Sequence, residues 1–171
     1  MTTPLAQRLK QVIAADGPIS VARYMDLCLN DPAHGYYRTR EPIGAAGDFV
    51  TAPEVSQMFG ELVGLWCAVT WRQMGAPAPV RLVELGPGRG TLMKDALRAT
   101  AAEPDFRAAL TLHLVETGDR LRAAQAESLA DTGAAWHDSL IDVPPGPMLL
   151  VANEFFDALP VHQFERAEDG W

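Results

Sequence analysis

Cysteine is scarce in this chain: Cys28 and Cys67 are the only two among 171 residues. Both lie in apolar, periodic stretches, where a buried free thiol outweighs a disulfide or metal role. Cysteine chemistry is therefore not the route to function. Basic residues are also in short supply, with 14 Lys and Arg against 22 Asp and Glu, a net charge of -8. Such a surface offers nothing general to a phosphate backbone, and no nucleic-acid partner is expected. Long hydrophobic runs are missing too. No segment reaches the roughly 18 apolar residues of a membrane span. Residues 1–13 are charged and amphipathic rather than leader-like, which points to a cytoplasmic protein without membrane insertion. There is no H-E-x-x-H, no clustered Cys/His set and no G-x-x-x-x-G-K-[ST]. Zinc catalysis and P-loop chemistry lack support, and no metal is expected. What is present, 48% apolar and 21% charged residues, is the composition of an ordinary globular domain.

Leu5, Leu9, Val12 and Ile13 share one helical face until Asp16-Gly17-Pro18 breaks the pattern. Ser20 then caps a second helix carrying Val21, Tyr24, Met25 and Cys28, stopped by Asn30-Asp31-Pro32. From Asp31 to Val50 runs a loop with Pro32, Gly35, Pro42, Gly44 and Gly47 among Tyr36, Tyr37 and Phe49. It is too apolar for a linker, and ordered loops of that length are often functional. Thr51 and Glu54 match a capping box in front of Val55, Phe59, Leu62, Val63, Trp66 and Val69, predicting one helix to about Met74. Gly75, Pro77 and Pro79 mark a boundary between a helical part, residues 1–79, and a second part, residues 80–171.

The second part alternates strands with helices. Strands are predicted over Val80 to Leu85, Leu110 to Glu116, Ala135 to His137 and Pro147 to Ala152, with a fifth beginning at Val161 to Glu165. Helical spacing follows the first strand in Leu92, Met93, Ala96 and Leu97, and follows the second over Arg120 to Leu129. This order implies an α/β fold, a doubly wound, Rossmann-like parallel sheet with ligands at the carboxyl ends of its strands. Residues 80–171 fall short of the roughly 150 to 200 residues of a complete domain of this kind, so the sheet is expected to be incomplete. Asp169-Gly170-Trp171 reads as a turn towards a further strand.

The chemistry concentrates at those strand ends. In Glu84-Leu85-Gly86-Pro87-Gly88-Arg89-Gly90-Thr91 the glycines are spaced G-x-G-x-G, and Thr91 stands where a dinucleotide fingerprint has its last glycine. That departure favours an amino-acid moiety, whose carboxylate and ammonium can use loop N–H groups and a nearby acid, over a pyrophosphate. Glu84 is the candidate partner for the ammonium. Glu116, after the second strand, is placed to accept both hydroxyls of a ribose. Asp138, after the third, is a candidate for an adenine amino group. Asn153-Glu154-Phe155-Phe156-Asp157 follows the fourth strand, and two carboxylates among aromatics can orient a cationic substrate. Capping of a short helix is the other reading of Glu154 and Asp157. His34 is read as a loop residue that closes over a ligand or bonds to backbone, and His113 as structural.

Four segments together resemble the MidA family, the bacterial and mitochondrial relatives of the respiratory complex I assembly methyltransferase. They are residues 24–37 (YMDLCLNDPAHGYY), residues 47–61 (GDFVTAPEVSQMFGE), residues 84–92 (ELGPGRGTL) and residues 152–160 (ANEFFDALP). The glycine segment alone indicates a class I methyltransferase; the other three are more restrictive. The resemblance implies S-adenosyl-L-methionine as cofactor, held by Glu84, Gly86, Gly88, Gly90, Glu116, Asp138 and Asn153. It further implies a protein substrate methylated on arginine, a respiratory complex I subunit in the mitochondrial members, with oligomeric state left open. A guanidinium is almost always protonated and delocalised, so carboxylates must fix it and take up the leaving proton. Glu154 and Asp157 are the catalytic candidates. His34, Asp48 and Glu54 are candidates for a substrate or lid role, although the capping box explains Glu54 without chemistry. Two rivals remain: a catalytically silent assembly factor that keeps the cofactor pocket, and an NAD-dependent Rossmann oxidoreductase, which the glycine spacing disfavours.

Overall fold

In a computed structural model of the chain, residues 2–40 and 47–170 are described; Pro42, Gly44 and Trp171 lie outside them. Contacts divide the chain into two compact units, Met1–Pro42 with Phe156–Trp171, and Ile43–Phe155. The division expected after residue 79 falls inside the second of these.

The first unit is helical. Helix α1 (Pro4–Asp16) begins where the Thr3 side chain accepts the Ala6 N–H at 3.2 Å, and ends at Gly17, whose φ is +86°. Helix α2 (Val21–Asn30) starts as expected, with the Ser20 hydroxyl accepting the Arg23 N–H at 3.2 Å. Asp31 then stops the chain and ties it down. One carboxylate oxygen accepts the N–H groups of Ala33 and His34, each at 3.0 Å, and the other accepts the Arg8 guanidinium at 2.5 Å. Desolvation works to raise its pKa, but these backbone donors and Arg8 outweigh it and hold the carboxyl below its ordinary range. Part of the expected loop is helical: α3 (Tyr36–Thr39) follows Gly35, whose N–H donates to the Asp31 carbonyl at 2.7 Å. The fifth strand expected at Val161 to Glu165 does not form among the described residues. A strand needs a ladder to join, and the pairing seen in this segment is a tight turn closed by Ala167 and Gly170.

In the second unit, the helix expected as one piece is two: α4 (Ala52–Val55) and α5 (Gln57–Gln73), separated by extended Ser56 at φ −147°. The capping box does not form. Pro53 has no N–H to give, the Glu54 N–H goes to the Thr51 carbonyl at 2.9 Å, and the Thr51 side chain caps nothing. Four parallel strands follow, β1 (Val80–Leu85), β2 (Leu110–Val115), β3 (Ala135–His137) and β4 (Met148–Val151), in the order β3-β2-β1-β4. Helices α6 (Thr91–Ala99), α7 (Pro104–Ala109) and α8 (Asp119–Ser128) complete the unit. This is the expected α/β fold with an incomplete parallel sheet.

Alternation along β1 splits the core. Val80 and Leu82 join Cys67, Ala68 and Trp71 of α5, Leu92, Met93 and Ala96 of α6, and Phe106 of α7 in one cluster. Val83 and Leu85 face the other way, with Val115 and Val143. Close packing of α5 on α6 depends on two glycines one helical turn apart. A Cβ on Gly60 would stand 2.8 Å from the Leu92 carbonyl, and one on Gly64 would stand 2.5 Å from the Ala96 carbonyl. At Gly64 only backbone fills the space, and at Gly60 the Asp95 Cβ at 2.7 Å joins the Leu92 carbonyl. Gly64→Ala is therefore expected to lower stability by about 2 kcal/mol through overpacking, against the gain of about 1 kcal/mol from helix propensity. Urea unfolding decides the sign, and a net stabilisation would show that the two helices part freely.

Candidate functional site

The register of the sheet brings the expected residues to one edge. Leu85 stands opposite Val115, and Val115 opposite His137, so Gly86, Glu116 and Asp138 leave three adjacent strands at the same level. On the other side of β1, β4 runs out at Val151 opposite Glu84, with Asn153 two residues further on. This is the carboxyl edge where the connections part to either side of β1, the place where open α/β sheets receive ligands. The Gly86 N–H donates to the Val115 carbonyl at 3.0 Å and the Glu116 N–H to the His137 carbonyl at 3.1 Å, extending the ladder one residue past the strands.

The glycine turn has the backbone that its composition requires. Gly86, Gly88 and Gly90 have φ of +59°, +54° and +81°, and Gly90 in the left-handed region caps α6. Space is restricted as well: a Cβ on Gly86 would lie 2.4 Å from the Phe155 ring, which the turn after β4 brings beneath it. Thr91, the first residue of α6, donates its hydroxyl to Glu54 at 2.6 Å. The Glu54 carboxylate is thus engaged at the start of α6 rather than at a cap.

Glu84 is the anomaly of the site. It is 3% exposed, and one carboxylate oxygen has no hydrogen-bond partner among the described residues. A buried anion without a donor is costly, so burial pushes the pKa of Glu84 up to about 8. An ammonium or other donor brought to this oxygen would remove that cost.

The remaining residues are placed as follows. Glu116 is half-buried, and its carboxylate accepts the Gly118 N–H at 2.7 Å. Asp138 is exposed and paired with Arg122 at 2.6 Å, while the same guanidinium donates to the Glu116 carbonyl at 2.6 Å. Glu154 is exposed with φ +50°, a conformation that costs a non-glycine residue on the order of 1 kcal/mol and is found preferentially at functional sites. Asp157 belongs to the first unit, where burial and the Asp157 charge raise the pKa of Tyr37. His34 is also in that unit, exposed, and lines an open cleft with Thr3, Pro4, Leu5 and Thr39. Asp48 is exposed. His113 is buried on β2, bonded to Thr111 at 3.0 Å and His137 at 2.9 Å, and burial holds its pKa below the ordinary value. Sequence reasoning missed Gln125, whose side chain reaches the Gly88 carbonyl, and Arg122. The signal for Gln125 is its place at helical spacing between Leu121 and Leu129, the residue that follows α8.

Comparison with known proteins identifies the family. The family model described as "Putative S-adenosyl-L-methionine-dependent methyltransferase" matches residues 62–171. The mitochondrial protein arginine methyltransferase NDUFAF7 homolog of Drosophila melanogaster is 44% identical over 190 residues, covering 98% of this chain and 43% of its own length. The human mitochondrial protein arginine methyltransferase NDUFAF7 is 39% identical over 193 residues, covering 99% and 44%. Among solved structures, a Burkholderia thailandensis protein bound to S-adenosyl-homocysteine superposes with a TM-score of 0.76 at 32% identity, over 91% of this chain and 42% of that one. The chain spans less than half the length of these relatives. The fold and the glycine turn define the class of the S-adenosyl-L-methionine-dependent methyltransferases. Within that class, the chain belongs to the family of the protein arginine methyltransferase NDUFAF7, the MidA-like family that the sequence resembles.

The residues present fit the cofactor of this class. An amino-acid ammonium matches the orphaned oxygen of Glu84, and the glycines at 86, 88 and 90 leave three positions of the turn without side chains. The titration of Glu84 has a definite sign. Its folded pKa lies above the ordinary 4.5, so the folded state binds the extra proton between about pH 4.5 and 8, and stability falls as pH rises through that window. Glu84→Gln is expected to unfold at higher urea than the parent at pH 8 and to lose this advantage towards pH 5. A constant difference across the range would contradict the buried, unpaired carboxyl.

Proposed function

We propose that the chain carries the cofactor-binding part of a methyltransferase that transfers a methyl group from S-adenosyl-L-methionine to arginine in a protein, with a respiratory complex I subunit as substrate. The observation that carries the reading is Glu84, a buried carboxyl with one oxygen lacking a partner among the described residues, beside a turn of three left-handed glycines. The names of the relatives support arginine as the target. The acidic composition and the absence, among the described residues, of a helix long and apolar enough to cross a membrane are compatible with action in the bacterial cytoplasm.

When bound, the cofactor supplies an activated methyl on a sulfonium, open to in-line displacement. The protein's part is positioning, with the nucleophile held about 3 to 3.5 Å from the methyl carbon. Glu84 would receive the amino-acid ammonium and Glu116 the ribose hydroxyls, and the backbone of the turn at 86–90 would lie against the cofactor. Asp138 and Asn153, beyond β3 and β4, flank the same edge. Glu154 would fix the guanidinium, bias one nitrogen towards the methyl and accept its proton, and Asp157, in the other unit, is the second candidate for that role. Asp48 and Glu54 in the second unit, and separately His34 in the first, are the candidates for substrate or lid roles.

Calorimetry with S-adenosyl-homocysteine, and NAD as the control, tests the cofactor. Binding of the former alone is expected, and NAD binding would transfer the reading to the oxidoreductases. At pH 7 the Glu84 carboxyl is mostly protonated, and pairing with an ammonium ionises it. Cofactor uptake should therefore release close to one proton, seen as a dependence of the heat on buffer ionisation, and Glu84→Gln should abolish the release. For the substrate side, Glu154→Ala is expected to keep cofactor affinity within about threefold while methyl transfer to a protein arginine falls by about 100-fold or more, the scale of lost acid-base and positioning catalysis. Equal loss of both would move Glu154 to the cofactor.

A further inference from the structure

Gln125 is fully buried on α8, in a file whose neighbours one turn away in each direction are Leu121 and Leu129. A leucine would continue that apolar face. The amide instead spends both its ends. Its Nε2 donates to the Gly88 carbonyl at 2.8 Å, and its Oε1 accepts the indole N–H of Trp136 on β3 at 2.8 Å. One turn earlier on the same helix, Arg122 holds the Glu116 carbonyl and Asp138. A single helix thus touches the turn after β1, the turn after β2 and the end of β3.

Gly88 sits in the middle of the glycine turn, buried, with φ +54°. No ladder fixes its peptide, since β1 ends at Leu85. The Gln125 amide does so from the side. In a trans peptide the carbonyl and the following N–H point in opposite directions, so pulling the Gly88 carbonyl towards α8 turns the Arg89 N–H away from it. The Trp136 indole in turn settles which end of the amide faces Gly88, because it can only donate.

We propose that Gln125 is a positioning residue that sets the Gly88–Arg89 peptide in the orientation that receives the cofactor. The proposal rests on the cofactor reading above, and Gln125 acts through the turn without touching the cofactor itself.

Gln125→Glu gives a readout that bulk does not. Burial raises the pKa of the introduced carboxyl. When protonated, it donates to the Gly88 carbonyl and accepts from Trp136 as the amide does; when ionised, it has no proton to give. The affinity of Q125E for S-adenosyl-homocysteine, taken as a ratio to the parent at each pH to remove the contribution of Glu84, is expected to lie within about threefold at pH 5.5 and to fall by about tenfold or more at pH 8.5, the scale of one buried hydrogen bond lost. Gln125→Leu should show the loss at both pH values. In the cofactor-free full chain, amide hydrogen exchange in Q125E at pH 8.5 should quicken over residues 88–91 while the amides of β1 and β2 keep their protection. A pH-independent ratio, or quickening spread evenly over the sheet, overturns the proposal. If Q125L does not fold, the Q125E profile decides. If the parent itself fails to bind S-adenosyl-homocysteine, the cofactor reading fails, and the local exchange of residues 88–91 still answers for Gln125.

Discussion

The pairing of β1 on both edges is the constraint from which the rest follows. β2 fixes it on one side in unbroken register from Val80 to Leu85, and β4 fixes it on the other from Arg81 to Glu84. With that register set, alternation sends Val80 and Leu82 to one core cluster and Val83 and Leu85 to the other. The same alternation leaves Glu84 in the interior. A carboxylate in the last turn of a surface helix would be solvated and unremarkable. On the central strand it becomes a group whose charge depends on what is brought to it.

The close approach of α5 and α6 works towards the same end. Gly60 and Gly64 let α5 lie against the backbone of α6, and α6 carries at its N-terminus the glycine turn and Thr91. The start of α6 is therefore held from three directions: by β1 through the turn, by α5 along its length, and by Glu54 through the Thr91 hydroxyl. Preorganisation of this kind lets a ligand bind without first ordering its site.

Much of this was legible in the sequence, for reasons that differ by element. The strands and α2 were placed to within a residue or two because short apolar runs, Ser20 and the glycine cluster are local signals. The strand-end positions of Gly86, Glu116 and Asp138 followed from a general property of parallel sheets. Less local features were not legible. The capping box at Thr51 and Glu54 was overridden by Pro53 and by a partner, Thr91, 37 positions away. The helical turn of α3 follows a segment that Asp31 ties down, and Asp31 is paired with Arg8, 23 positions away. Val161 to Glu165 has strand-like composition but pairs with no strand among the described residues. Gln125 shows as a polar residue in an apolar file, yet the Gly88 carbonyl and Trp136 that explain it come from two other elements.

The hydrogen bond from Thr91 to Glu54 also has a thermodynamic meaning. It joins α4, a helix of four residues with little stability of its own, to the first residue of α6. Any event at the glycine turn that strengthens or weakens this bond changes the free energy of α4 by the same amount, and the reverse holds as well. The segment ahead of α5 and the glycine turn are thus linked thermodynamically through one hydroxyl.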